Sequence, residues 1–201
     1  MNADLSVPAA LISERMGLHF QQDRWPDLIR GLERAAASLG FDNVHTFIAH
    51  LLADRFGQRE VHALATHLTI GETYFFRTPE TFGMLESRLL PELIAAQQRS
   101  ATPRLRIWSA GCATGQEAYS LAILISKMIP RRAGWDITIL ASDINPEALE
   151  TARAAVYTQW SFRDTPSWVM NGYFTKAGEG RFAVDQAIRE MVTFRYLNLA
   201  E

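Results

Sequence analysis

Apolar side chains in the first hundred residues recur at three- and four-residue intervals, the period of a helix with one buried face. Trp25, Leu28, Ile29, Leu32, Ala35, Ala36 and Leu39 form one such stripe, and Gly40 stops it. Asp42 or Asn43 can cap a second helix carrying Val44, Phe47, Ile48, Leu51 and Leu52, which ends by Gly57. Val61, Leu64, Ala65 and Leu68 supply a third stripe. Gly71 and Pro79 bracket a short aromatic stretch, Thr73-Tyr74-Phe75-Phe76-Arg77. Beyond Pro79 the spacing of Phe82, Leu85, Leu89, Leu90, Leu93 and Ile94 predicts a long amphipathic helix, and the polar segment from Gln97 to Pro103 reads as a linker.

The period then changes. Leu105 to Ala110 is a short β-type run, followed by Gly111-Cys112-Ala113-Thr114-Gly115 and a helix with Ala118, Leu121, Ala122, Leu124 and Ile125. A second strand is expected from Trp135 to Ala141, running into Ser142-Asp143-Ile144. Asn145-Pro146-Glu147 then opens another helix, and a third strand is expected from Met191 to Leu197. Strand, glycine turn, helix, strand, helix, strand is the order of a parallel α/β sheet. Tyr173-Phe174 and Arg181 to Val184 flank Thr175 to Gly180, which reads as an inserted β-hairpin near residues 172–184.

Composition narrows the class. The chain has 201 residues, 48% of them hydrophobic, enough for one large core or two small ones. Twenty Lys plus Arg against twenty-two Asp plus Glu argue against wholesale binding of nucleic-acid phosphates. A single cysteine excludes an internal disulfide and a Cys-based zinc site, and fits a reducing compartment. His19, His45, His50, His62 and His67 all lie in the helical half at spacings that do not pair ligands on one face, so no metal site is expected. Asp4, Pro8, Glu14 and Arg15 break up any signal-peptide core, and no run approaches the ~18 apolar residues of a membrane helix. The expectation is a soluble cytoplasmic protein.

The glycine turn is the candidate chemistry. A strand–glycine loop–helix junction presents free backbone N–H groups at the carboxyl edge of the sheet, where such folds bind ligands. No lysine follows Gly115, which opposes a nucleotide-hydrolysing P-loop, and Gly111 and Gly115 are spaced G-x-x-x-G rather than G-x-G-x-x-G. Glu117 enters the helix two residues later, and Asp143 ends the second strand. An acid beside the loop is wrong for a pyrophosphate and right for an ammonium, while an acid at the second strand suits ribose hydroxyls. S-adenosylmethionine, which carries an ammonium, a ribose and no phosphate, fits best.

The segments Gly71 to Arg77, Phe82, Ile107 to Ser120 and Ala141 to Asn145 together resemble the chemotaxis receptor methyltransferase family, CheR. The resemblance runs from about residue 15 to the end of the chain. It implies an all-helical N-terminal domain (1–75), a connecting helix and linker (76–102), and a Rossmann-like S-adenosylmethionine-dependent methyltransferase domain with an inserted hairpin (103–201). It implies transfer of a methyl group to glutamate side chains of a methyl-accepting chemotaxis receptor, leaving S-adenosylhomocysteine. Residue by residue it marks Thr73, Arg77, Gly111, Glu117, Asp143, Asn198 and Leu199 as cofactor-binding. Arg77 suits the methionine carboxylate, Glu117 the α-amino group, Asp143 the ribose, and Asn198 with Leu199 the adenine. No general base is named, since a glutamate is already ionised at neutral pH.

Family members commonly carry Asn at the position of Gly71, and their sheet continues where this chain stops at Glu201. The expectation is therefore the first half of the sheet, with the first strand as an exposed apolar edge. The alternative is a shortened, catalytically inactive module that binds receptor or cofactor; a nicotinamide enzyme is disfavoured by Glu117. Taken alone, Thr73 to Arg77 reads as an aromatic core plug with a surface arginine, and Cys112 as a small residue in a tight turn. The helical half holds six Arg and eight acids, so only Arg24, Arg30 and Arg34 offer a short basic stripe for an acidic receptor helix. No nucleic acid and no membrane insertion are expected, and the protein is expected to be a monomer.

Overall fold

Two of the N-terminal helices, the third and the fourth, begin at side-chain caps. The computed structural model describes residues 5–130 and 133–201 of the protein. Helices α1 (Ser6–Met16), α2 (Trp25–Leu39), α3 (Val44–Leu52) and α4 (Gln58–Leu68) follow in order. Asn43 begins α3 by accepting the Thr46 N–H at 3.0 Å. Glu60 reaches back to accept the Gly57 N–H at 3.0 Å, which opens α4, and its other oxygen lies 3.4 Å from His50 Nε2. Ile12, Leu28, Leu32, Phe47, Leu51 and Leu64 are at most 1% exposed and form the centre of this core. Helices α2 and α4 touch closely: a Cβ at Gly31 would fall 2.2 Å from Leu68 Cδ2 and 3.1 Å from the His67 carbonyl.

Packing divides the chain into two units. One takes the stretch through Ile70 with Ile144–Glu147 and Tyr196–Glu201, and the other takes Gly71–Asp143 and Ala148–Arg195. In the first, Asn145 Nδ2 donates to Thr69 Oγ1 at 3.1 Å and Tyr196 meets the His62 ring edge-on. Arg24 and Arg30 both hold Asp27, so two arginines of the expected basic stripe are partly neutralised on their own helix.

In the second unit the long helix expected after Pro79 is α5 (Pro79–Met84), a π-helical turn (Leu85–Leu89) and α6 (Leu90–Gln97). Pro91 explains the break: it donates no N–H, and its ring crowds the carbonyl four residues back, which the wider π turn relieves. There follow β1 (Arg104–Ala110), α7 (Gln116–Met128), β2 (Asp136–Asp143), α8 (Pro146–Ala154), β3 (Val156–Thr158), α9 (Ser167–Tyr173), β4 (Phe174–Lys176), β5 (Arg181–Val184), α10 (Gln186–Arg189) and β6 (Val192–Tyr196). β1 and β2 are parallel, in register from Arg104 opposite Asp136 to Ala110 opposite Ser142, and β6 lies on the far side of β2. A second sheet has the order β3–β5–β4 with antiparallel pairing; its β3, only three residues long, has no counterpart in the sequence reading.

Helix α7 is buried on nearly every side, from Ala118 to Ile125. β1 and β6 are the two outer strands of this described sheet, and the edge at β1 is not simply apolar. Arg104 and Arg106 alternate outward and both reach Asp136, beside a Trp108 that is 53% exposed. Charges at such an edge oppose pairing with another chain. Among the described residues no helix is long and apolar enough to cross a membrane.

The close contact of α2 with α4 leaves little room for a larger residue. Gly31→Val is expected to destabilise the helical unit by about 1–3 kcal/mol through overpacking. The check is the urea midpoint of unfolding, and an unchanged midpoint would show slack between these helices.

Candidate functional site

The turn between β1 and α7 is closed on the end of β2. Gly111 and Cys112 both donate their N–H to the Ser142 carbonyl, at 2.8 and 2.9 Å. Ala113, held at φ +46°, donates its N–H to Asp143 Oδ2 at 2.7 Å. The expectation of free N–H groups is thus corrected at three residues of the loop, Gly111, Cys112 and Ala113, which spend theirs on Ser142 and Asp143. The reason is the parallel register, which sets Ser142 beside Ala110 and brings the end of β2 alongside the turn.

Gly115 closes the turn at φ +92°, and a Cβ there would lie 2.8 Å from Ala152 Cβ and 3.1 Å from the Tyr157 hydroxyl. In front of Gly111, at the same turn, a Cβ would meet nothing within 4 Å. Glu117 stands exposed in the first turn of α7, and its Oε1 accepts the hydroxyl of buried Ser109 at 2.7 Å. Asp143 is only 9% exposed. The site therefore combines one exposed and one buried carboxylate at the same sheet edge.

The aromatic stretch docks on the same helix. Phe76 N–H donates to Ser120 Oγ at 3.0 Å, one turn beyond Glu117, and Phe75 N–H donates to the Ser161 carbonyl at 2.9 Å. Phe75 is fully buried, stacked on Phe162 and meeting Tyr157 and Phe174 edge-on. Phe75 and Phe76 are thus a core plug, and Arg77 beside them is exposed, with Nη1 on the Glu72 carbonyl. Thr73 is half-buried in the same stretch. Phe76 and Thr78 both adopt left-handed backbone, at φ +57° and +65°, so the segment is held in a conformation its residues do not favour.

Thr73, Arg77, Gly111, Glu117 and Asp143 all belong to the second unit. Asn198 and Leu199 belong to the first. There Asn198 is buried, with its amide donating to the Arg15 carbonyl at 2.7 Å, and Leu199 is 62% exposed. Sequence reasoning missed Ser109, Ser142 and Tyr157. The first two sit immediately beside motif residues, whereas Tyr157 on β3 carries no local signal.

Residues 71–201 match the family described as CheR methyltransferase, SAM binding domain. The chain is 32% identical over 171 residues to a probable chemotaxis protein methyltransferase of Rhizobium etli, covering 84% of this chain and 63% of that protein. It is 31% identical over 163 residues to the chemotaxis protein methyltransferase of Borreliella burgdorferi, covering 81% and 57%. It is 31% identical over 204 residues to chemotaxis protein methyltransferase 1 of Pseudomonas aeruginosa, covering 100% and 73%. The chain thus spans 63% and 57% of the lengths of the first two relatives.

Burial pushes the Cys112 thiol up to about 12, with the Asp143 and Glu117 carboxylates adding to it. At pH 8 the folded protein should therefore alkylate at Cys112 roughly a thousandfold more slowly than an ordinary thiol. Reactivity should rise only as the pH approaches 12, or when the chain is unfolded. Iodoacetamide labelling followed by mass spectrometry checks this, and rapid labelling at pH 8 would contradict the burial.

Proposed function

The chain belongs to the CheR methyltransferase family, and from that premise we propose that it binds S-adenosylmethionine at the β1–α7 turn and serves methylation of glutamate side chains on a chemotaxis receptor. One observation carries the reading. The N–H groups of Gly111, Cys112 and Ala113 are taken by Ser142 and Asp143, while the carboxylates of Glu117 and Asp143 stand at the same end of the sheet. Two carboxylates suit a ligand with an ammonium and ribose hydroxyls, and the Glu117 charge opposes a phosphate.

The bound cofactor supplies an electrophilic methyl group. Glu117, held by Ser109, offers a solvent-facing carboxylate to its α-ammonium. Asp143 offers a carboxylate to the ribose while its Oδ2 fixes the Ala113 N–H. Arg77, carried on the docked aromatic stretch with Thr73, is assigned to the methionine carboxylate. Asn198 and Leu199 are assigned to the adenine on the family resemblance alone. The receptor glutamate is ionised at neutral pH, so the protein's task is positioning and removal of water rather than proton abstraction. We read the β3–β5–β4 sheet as an insertion into a Rossmann-like domain, the N-terminal helices as a receptor-facing domain, and the protein as cytoplasmic, in keeping with its lone cysteine.

Calorimetric titration with S-adenosylhomocysteine, with NADH as control, tests the site. Micromolar binding of the former alone is expected. Glu117→Gln keeps the acceptor for Ser109 and removes the charge, and should weaken binding by about 1.5–3 kcal/mol. Arg77→Ala should weaken it similarly without altering the unfolding midpoint. Unchanged affinity in both variants would sink the placement.

A further inference from the structure

Three separate pieces of the second unit meet at one side chain. Tyr157, in the middle of β3, donates its hydroxyl to the Thr114 carbonyl inside the glycine turn at 2.7 Å. The same oxygen lies 3.1 Å from where a Cβ of Gly115 would stand. Its ring meets Phe75 edge-on, with centroids 5.0 Å apart, and Tyr119 of α7 at 6.3 Å. The residue is 3% exposed. Burial holds its phenol well above the usual range, so the hydroxyl stays a donor at any physiological pH.

Around this side chain the polar contacts close into a ring. Thr114 Oγ1 donates to Gln116 Oε1 at 2.7 Å, and Gln116 Nε2 donates to Ser161 Oγ at 3.3 Å. The Ser161 carbonyl takes the Phe75 N–H, and the next amide, Phe76, bonds Ser120 on α7, whose hydroxyl returns to the Gln116 carbonyl at 2.7 Å. Turn, helix, aromatic stretch and the segment after β3 are therefore bonded in a circuit, and Tyr157 spans its middle. Asp143 fixes the turn at Ala113 on one side, and Tyr157 fixes it at Thr114 on the other.

We propose that Tyr157 is a positioning residue: through the Thr114 carbonyl it holds the β1–α7 turn in the shape that receives S-adenosylmethionine, so that the small β3–β5–β4 sheet is a structural support of the cofactor site. The inference rests on the reading of that turn as the cofactor site. It assigns Tyr157 no contact with the cofactor. Removing the hydroxyl leaves a half-buried carbonyl without its donor, and the turn relaxes to satisfy it elsewhere.

Tyr119 provides a matched comparison. It too is a buried phenol donating to a backbone carbonyl, but that carbonyl is Ala152 on α8, at 2.9 Å, outside the turn. Tyr157→Phe and Tyr119→Phe are compared with the parent chain by titration with S-adenosylhomocysteine, thermal unfolding, and hydrogen exchange of the amides from Gly111 to Gln116. Tyr157→Phe is expected to weaken binding roughly tenfold and to speed exchange across the turn. Tyr119→Phe is expected to lower the melting temperature comparably while leaving binding and turn exchange unchanged. Equal effects of the two variants, or parent-like binding and exchange in Tyr157→Phe, overturn the proposal. If the parent chain does not bind S-adenosylhomocysteine, the cofactor reading fails, and so does this role of Tyr157. In that case turn exchange still decides whether Tyr157 braces the loop at all.

Discussion

The fold of the second unit hangs on a hydrogen-bonded closure between two neighbouring strand ends. The turn after β1 gives three consecutive N–H groups to the last two residues of β2, through the Ser142 carbonyl and the Asp143 carboxylate. That closure needs the parallel register in which Ala110 faces Ser142. A slip of one residue would move Asp143 away from Ala113 and turn Ile139, now fully buried, to the opposite face. The hydrophobic pattern of the strands and the polar wiring of the turn thus enforce the same alignment. Gly115 completes it, since Ala152, Tyr157 and Phe194 leave no space for a side chain there.

The same closure bears on the proposed cofactor site. Glycine-rich junctions bind phosphates by leaving backbone donors open at a helix start. Here the N–H groups of Gly111, Cys112 and Ala113 face inward, and the Glu117 and Asp143 carboxylates at the same end of the sheet are what the proposed cofactor reading rests on. The aromatic stretch contributes on other terms: Phe75 and Phe76 anchor it in the core by area and by two backbone hydrogen bonds, which leaves Arg77 on the surface at a defined place.

Much of this was legible in the residues because it is local. Asn43 marks a helix start by chemistry acting within four residues, and the α4 stripe from Val61 to Leu68 is buried as its spacing implies. The strand–turn–helix order around Gly111 and Gly115 is equally plain. What escaped was non-local. The consumption of the loop N–H groups depends on pairing with residues about thirty positions away, which no spacing rule reports. β3 has three residues and gains its identity only by pairing with β5, so Tyr157 could not be connected with Thr114 beforehand. The π turn was invisible for a different reason: the helical period continues through Leu85 and Leu89, and Pro91 reads equally well as a first-turn residue of a new helix. The sharing of Asp27 by Arg24 and Arg30 was likewise not visible, since a count of charges does not say which of them pair.

The inward wiring of the turn also bears on the order of events in time. Gly111, Cys112 and Ala113, whose amides are already satisfied by Ser142 and Asp143, are ordered before any small molecule arrives. The conformational entropy was lost during folding, not at the encounter. A ligand of this turn would meet these three residues as a finished surface. Variation in affinity among related ligands falls on how long each stays.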